Sequence, residues 1–227
     1  MPVKRQASTR ANRWIAAGVS LLACTAMVFA FAVACGNSDA ASNVPAGDRN
    51  AHARPSNVAA INPVPVVPID PGQLYVPAIG INTNIMTLPT VMAADPFLGG
   101  QIVTTFGVPP DLVQTAWWSD GPQPGADGMA VITGHSQPGP QYGVFDDIDK
   151  LKNDDLIRVE SKDGSMVLTF KVIKVQTGVS KTDPTALQSA LTLHPPEARI
   201  ALLTCGGLFH TDYDASEQNV IVFAALA

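Results

Sequence analysis

A cysteine and a histidine in this sequence stand where they could act together. Cys205 ends the apolar run RIALLTC and is followed at once by Gly206-Gly207, while His135 closes a second apolar run, GMAVITGHS. A strand that ends in a thiol and turns through two glycines presents its sulfur at a sheet rim, with room for close backbone approach. An imidazole on a comparable strand end can stabilise the thiolate and later donate a proton, which is what a thiol nucleophile needs. Taken alone, two such residues 70 positions apart specify little, because a lone cysteine is often an inert small hydrophobe. Metal binding is the competing use, with His210, Asp212 and Asp214 close behind Cys205. Zinc takes three or four well-spaced ligands, and no CxxC, HxH or HExxH spacing occurs, so a nucleophile is expected and neither metal nor cofactor is.

The rest of the chain says where such a thiol works. Of 227 residues, 46% are hydrophobic and 15% charged, with a net charge of −5, which excludes a disordered polyanion and a basic nucleic-acid binder. The charge is unevenly placed. Residues 1–13 hold Lys4, Arg5, Arg10 and Arg13 with no acid, whereas residues 71–227 hold eight Lys and Arg against sixteen Asp and Glu, a net of −8. Between them, Trp14 to Ala34 is a stretch of 21 uncharged residues, long enough to cross a bilayer as a helix of about 1.5 Å rise per residue. Residues 14–35 are therefore expected to be a transmembrane signal anchor with the basic head in the cytoplasm and the remainder outside. The ending FAVACGN keeps a second reading open, a lipoprotein signal processed at Cys35, although Ala32 fits that pattern poorly. Residues 36–71, with PVPVVPIDP, read as an extended Pro-rich linker, and residues 72–227 as the catalytic domain. Cys24 and Cys35 belong to the export segment, so Cys205 has no disulfide partner within its domain; an unpaired thiol kept outside the cell suggests use.

The domain reads as all-β. Its apolar runs are short and bounded by Gly, Pro and Asp, with candidate strands at 74–76, 79–81, 84–88, 114–118, 128–133, 156–161, 165–177, 199–205 and 219–225. Asp163-Gly164 supplies the tight turn of the clearest hairpin. Two short helical segments are expected, one around Val144 to Leu151 and one in DPTALQSALTL, with Asp183 capping and Pro184 in the first turn. About nine short strands and few helices indicate a closed or nearly closed barrel.

On these residues the chain resembles the sortases, cysteine transpeptidases of Gram-positive surfaces. The resemblance spans roughly Gly72 to Ala227 and rests on AWWSDGPQPGADGMAVITGHS, VFDDIDKLKNDDLIRVESKDG, RIALLTCGGLF and NVIVFA. The double glycine and the PG-x-x-G approach to the histidine are most like class F sortases of actinobacteria. The resemblance implies an eight-stranded β-barrel. It also implies that Cys205 attacks the threonine carbonyl of an LPxTG-like motif on surface proteins, and that His135 is the general acid serving the departing amine and an incoming cell-wall precursor amine. Thr204 matches the residue that assists at the substrate carbonyl.

One family feature is missing. The family's arginine, on the strand after the cysteine, stabilises the oxyanion, yet no Arg or Lys follows Cys205, and aligning ASEQNVIVFA puts Glu217 near its place. Arg199 lies six strand residues, about 20 Å, from the thiol. Asn219 or backbone amides near Gly206 are the expected substitutes. Glu217 keeps two alternatives in view: a catalytically weakened surface-binding protein, and a thiol hydrolase of the cell wall. The chain has no LPxTG motif itself, since Leu88-Pro89-Thr90 continues with Val91, so it reads as a processor of such proteins. Of the remaining features, Trp117 and Trp118 are expected to pack the barrel more than to stack on sugar. Leu187 and Leu191 fall where sortases close a loop over the peptide, and Asp146, Asp147 and Asp149 read as a solvated face and not a calcium loop.

Overall fold

A computed structural model describes residues 66–137 and 141–227 of the chain. The expected anchor at 14–35 and most of the linker lie outside the described residues. Packing begins before Gly72: Ile69 is buried and its N–H donates to the Pro124 carbonyl at 3.0 Å.

Ten strands form. They are β1 (Pro71–Val76), β2 (Ile81–Leu88), β3 (Thr90–Asp95), β4 (Gln101–Phe106), β5 (Thr115–Trp118), β6 (Ala130–Gly134), β7 (Leu156–Ser161), β8 (Val167–Ser180), β9 (Ala198–His210) and β10 (Ala215–Leu226). Eight of them close a barrel in the order β1-β2-β5-β6-β9-β10-β8-β7, as expected for an all-β domain. The pairs β2–β5 and β6–β9 are parallel, and the others are antiparallel. The candidate strands at 79–81 and 84–88 prove to be one, β2, preceded by a 3-10 turn over Pro77–Ile79. β3 and β4, unforeseen in the sequence, pair only with each other as a separate hairpin.

The middle strands have no wet face. Ala130 and Ile132 of β6, Ile200 and Leu202 of β9, and Val220 and Val222 of β10 fill the barrel interior with Phe145, Phe170 and Ile157. The alternate residues Val131, Ala201, Leu203, Ile221 and Phe223 point outward into a second core, against Phe106, Trp118, Leu187 and Leu191. Burial on both sides is why these strands read as continuous apolar runs, whereas β7 and β8 alternate between buried and exposed positions. The outer cover comes from the β3–β4 hairpin and from helix α1 (Ala186–Thr192). The helix starts later than expected. Its N-cap is Thr185, without a side-chain cap bond, and Asp183 instead accepts from the N–H and the hydroxyl of Thr185, each at 2.8 Å. The turn expected around Val144 to Leu151 is a single 3-10 turn, Ile148–Lys150. Trp117 packs in the inner core, and the indole N–H of Trp118 donates to Thr90 on the hairpin.

Candidate active site

The parallel β6–β9 ladder sets the site. Thr133 is registered with Leu203, so two residues further on His135, just past the end of β6, comes beside Cys205, on strands about 4.8 Å apart. The strand does not end at the thiol as the sequence suggests: β9 runs on through Gly206 and Gly207 to His210, held by its pairing with β10. Thr204 ties the two strands together. It is buried, and its hydroxyl donates to the Gly134 carbonyl at 2.8 Å, next to His135, while the Ser136 hydroxyl donates to the Cys205 carbonyl at 2.6 Å. The Thr204 hydroxyl is therefore committed to the scaffold, which leaves its backbone nearest the thiol. After Cys205 the chain needs both glycines: a Cβ on Gly206 would sit 2.7 Å from Val220, and Gly207 has φ 74°.

Cys205 and His135 are both half-buried and line one cavity of about 270 Å³ together with Thr204, Asn219, Lys181 and Phe97. Asn219 lies directly across the β9–β10 ladder from Cys205 and is buried. The His135 Nε2 lies 2.8 Å from the Pro109 carbonyl. A carbonyl only accepts, so Nε2 carries a proton and Nδ1 remains as the nitrogen able to gain or lose one. Asp111, whose charge interacts with His135, is held below the usual carboxylate range, chiefly by the backbone N–H of Gln114 and then that of Val113. Asp146, one of the acidic run, accepts from the N–H groups of Gln137 at 2.6 Å and Gly143 at 3.0 Å, so it braces the loop that leaves His135. Among the described residues no group of three His, Cys, Asp or Glu could hold a metal.

Two charged residues are not where the sequence suggested. Glu217 does not face the thiol. A register shift between Ser216 and Gln218 puts it at a bulge, where its carboxylate lies 3.0 Å from His210 Nε2. A cation is present after all, from a direction the sequence did not indicate: Lys181, just past the end of β8, donates from Nζ to Cys205 Sγ at 3.1 Å. Arg199 is spent at the far end of β9 on the carbonyls of Pro196 and Ala198.

The cavity opens beside a larger groove of about 690 Å³, which shares Asp95, Val103, Phe106, Lys181, Leu187 and Asn219 with it. The hairpin and α1 form the groove walls, with Trp118, Met129 and Val131 at its base and Leu191 on the helix side. The hairpin turn brings Phe97 edge-on to His210 and Tyr213, with ring centroids 5.7 and 5.5 Å away. A largely apolar groove that adjoins a cavity lined by a thiol, an imidazole and an ammonium can hold a peptide segment and expose one carbonyl to the sulfur.

No curated protein sequence matches the chain. Solved structures that align with it include sortase C from Clostridium perfringens SM101, at 18% identity over 71% of this chain and 72% of that one, with a TM-score of 0.46. The pilus-related sortase C of Group B Streptococcus aligns at 19% identity over 71% and 69%, with a TM-score of 0.49. Sortase A from Corynebacterium diphtheriae aligns at 21% identity over 71% and 61%, with a TM-score of 0.46. The sortase domain model matches residues 74–227, which include the whole site from His135 to Asn219. The chain belongs to the sortase family, whose members are cysteine transpeptidases.

Proposed function

We propose that this protein is a membrane-anchored sortase of the class F type that works outside the cell on surface proteins bearing an LPxTG-like motif. The observation that carries this reading is that the parallel β6–β9 ladder brings His135, just past β6, beside Cys205 within β9, both lining one cavity that adjoins a groove. In the proposed reaction Sγ attacks the threonine carbonyl carbon, a C–S bond forms, and the carbonyl electron pair moves onto oxygen. Collapse breaks the C–N bond, and His135 gives its proton to the departing amine. A cell-wall precursor amine then attacks the thioester, the C–N bond of the product forms as His135 takes the amine's proton, and the C–S bond breaks to return the thiolate. Thr204 ties β9 to the end of β6, and Asn219, across the ladder from Cys205, is the side chain that donates to the carbonyl oxygen in this reading. The class F assignment rests on Gly206-Gly207 and the PGADG approach to His135. The membrane anchor rests on the uncharged stretch behind four basic residues, with the lipidated Cys35 form as its alternative.

The weakened-enzyme reading drew its motive from Glu217, and the engagement of that carboxylate by His210 removes the motive. The test is cleavage of a quenched LPxTG-type peptide by the purified protein, with and without an amine acceptor, beside Cys205→Ala. Cleavage by the parent alone, with transfer to the added amine, supports the proposal. No cleavage by the parent, or equal cleavage by both proteins, overturns it. Release of acid only, whatever the acceptor concentration, assigns the site to a hydrolase instead.

A further inference from the structure

We propose that Lys181 is a catalytic residue of this enzyme, supplying from the end of β8 the positive charge that balances the sulfur and then the oxyanion. The inference rests on the transpeptidase reading and goes beyond it by naming the group that performs this step.

The geometry points to Lys181 on four grounds. Its ammonium is aimed at the reacting atom, with Nζ 3.1 Å from Cys205 Sγ, and among the described residues Sγ is the one hydrogen-bond acceptor of that ammonium. Its charge is not already spent: in a domain with twice as many acids as bases, no described carboxylate lies within 4 Å of Nζ. It is held in place, since its backbone N–H donates to the Glu217 carbonyl at 2.8 Å and its ammonium sits 5.8 Å from the centre of the Phe97 ring. It also lines the same cavity as Cys205, His135 and Asn219, where an attacked carbonyl must lie.

The chemistry follows from where the negative charge goes. During attack it passes from sulfur to the carbonyl oxygen, two atoms joined through one carbon, and on collapse it leaves with the amine as that group takes a proton from His135. An ammonium is a compact charge with three rotatable donors on a flexible stem, so it can turn from Sγ to the new oxyanion without moving its backbone. Donors aimed at a developing oxyanion typically contribute about 10²- to 10³-fold in rate. The role requires the protonated amine, which has no lone pair with which to capture the thioester.

The test has two independent readouts on the full-length protein, Lys181→Met and Lys181→Arg, with thermal unfolding as the control for folding. Steady-state cleavage of the LPxTG-type peptide should show kcat/KM lowered about 10²- to 10³-fold in Lys181→Met, mainly through kcat, and partly restored in Lys181→Arg. The second readout is alkylation of Cys205 by iodoacetamide at pH 7, which needs no substrate and should slow several-fold in Lys181→Met, because the sulfur has lost its donor. Unchanged alkylation and unchanged kcat/KM in Lys181→Met would overturn the proposal and leave the sortase reading intact. If no peptide is cleaved by the parent, the sortase reading fails, and the proposal falls with it even where alkylation responds. A peptide map showing the acyl group on Lys181 would also overturn it, since the side chain would then be a neutral acceptor.

Discussion

The strands β6, β9 and β10 bury both faces, and the two faces do different work. The inward face is closed by the barrel itself, with Ile132, Ile200, Leu202 and Val222 in the interior and wholly buried. The outward face is closed by pieces inserted between strands, the β3–β4 hairpin and α1. Where this cover meets the barrel it leaves a groove and an adjoining cavity, and Cys205, His135, Lys181 and Asn219 collect in the cavity. Neighbours on β9 divide the work: the Thr204 hydroxyl is bound to the Gly134 carbonyl, and the Cys205 sulfur one step on meets Lys181 in the cavity that both residues line. A closed ladder thus fixes positions, and an added cover turns one rim of it into a site.

If the two faces are separable, substitutions should separate activity from stability. The largest effect is expected at the rim. His135→Ala should lower peptide cleavage by about 10²- to 10⁴-fold while leaving thermal unfolding nearly unchanged. A comparable loss of stability would merge the two regions. Next, Phe170→Ala empties a fully buried interior position and should cost about 3 to 5 kcal/mol, read as a lower Tm, with kcat/KM of the folded fraction close to the parent's. A strong loss of kcat/KM at full folding would show the interior acting directly on the site. The smallest effect belongs to the hairpin turn between β7 and β8. Asp163 is held down to about 2, first by the Ser161 hydroxyl and then by that of Ser165. Its folded value lies below the unfolded one of about 3.9, so its contribution is present above that pH and is lost as pH falls towards about 2. Asp163→Asn should therefore show a slightly lower Tm at pH 7 that converges with the parent's in acid, with activity unaffected.

The same contrast explains what the sequence disclosed. MAVIT, RIALLTC and NVIVFA are legible as strands because burial on both sides leaves continuous apolar runs, and Asp163-Gly164 marks its turn by φ 70° at the glycine. Cys205 and His135 are legible because each ends such a run. The hairpin is not legible. β3 and β4 pair only with each other, leave Met92 and Ile102 exposed, and so lack the alternation that a core imposes. Lys181 is not legible because it precedes the nucleophile by 24 positions and belongs to neither apolar run that ends in a site residue. Register brings it in: Val179 pairs with Asn219, which pairs with Cys205, so the residue just past β8 arrives at the sulfur. The position of Glu217 is illegible for a related reason, since a bulge between Ser216 and Gln218 cannot be read from residue spacing.

The measurement that bears most directly on the rim as a thiol transpeptidase site is intact mass after mixing the protein with excess LPxTG-type peptide in the absence of an amine acceptor. The expected result is an adduct of the peptide's acyl portion on Cys205, released by hydroxylamine and absent in Cys205→Ala. Turnover without any such adduct on Cys205 under rapid quenching, or an adduct that persists in Cys205→Ala, would contradict it.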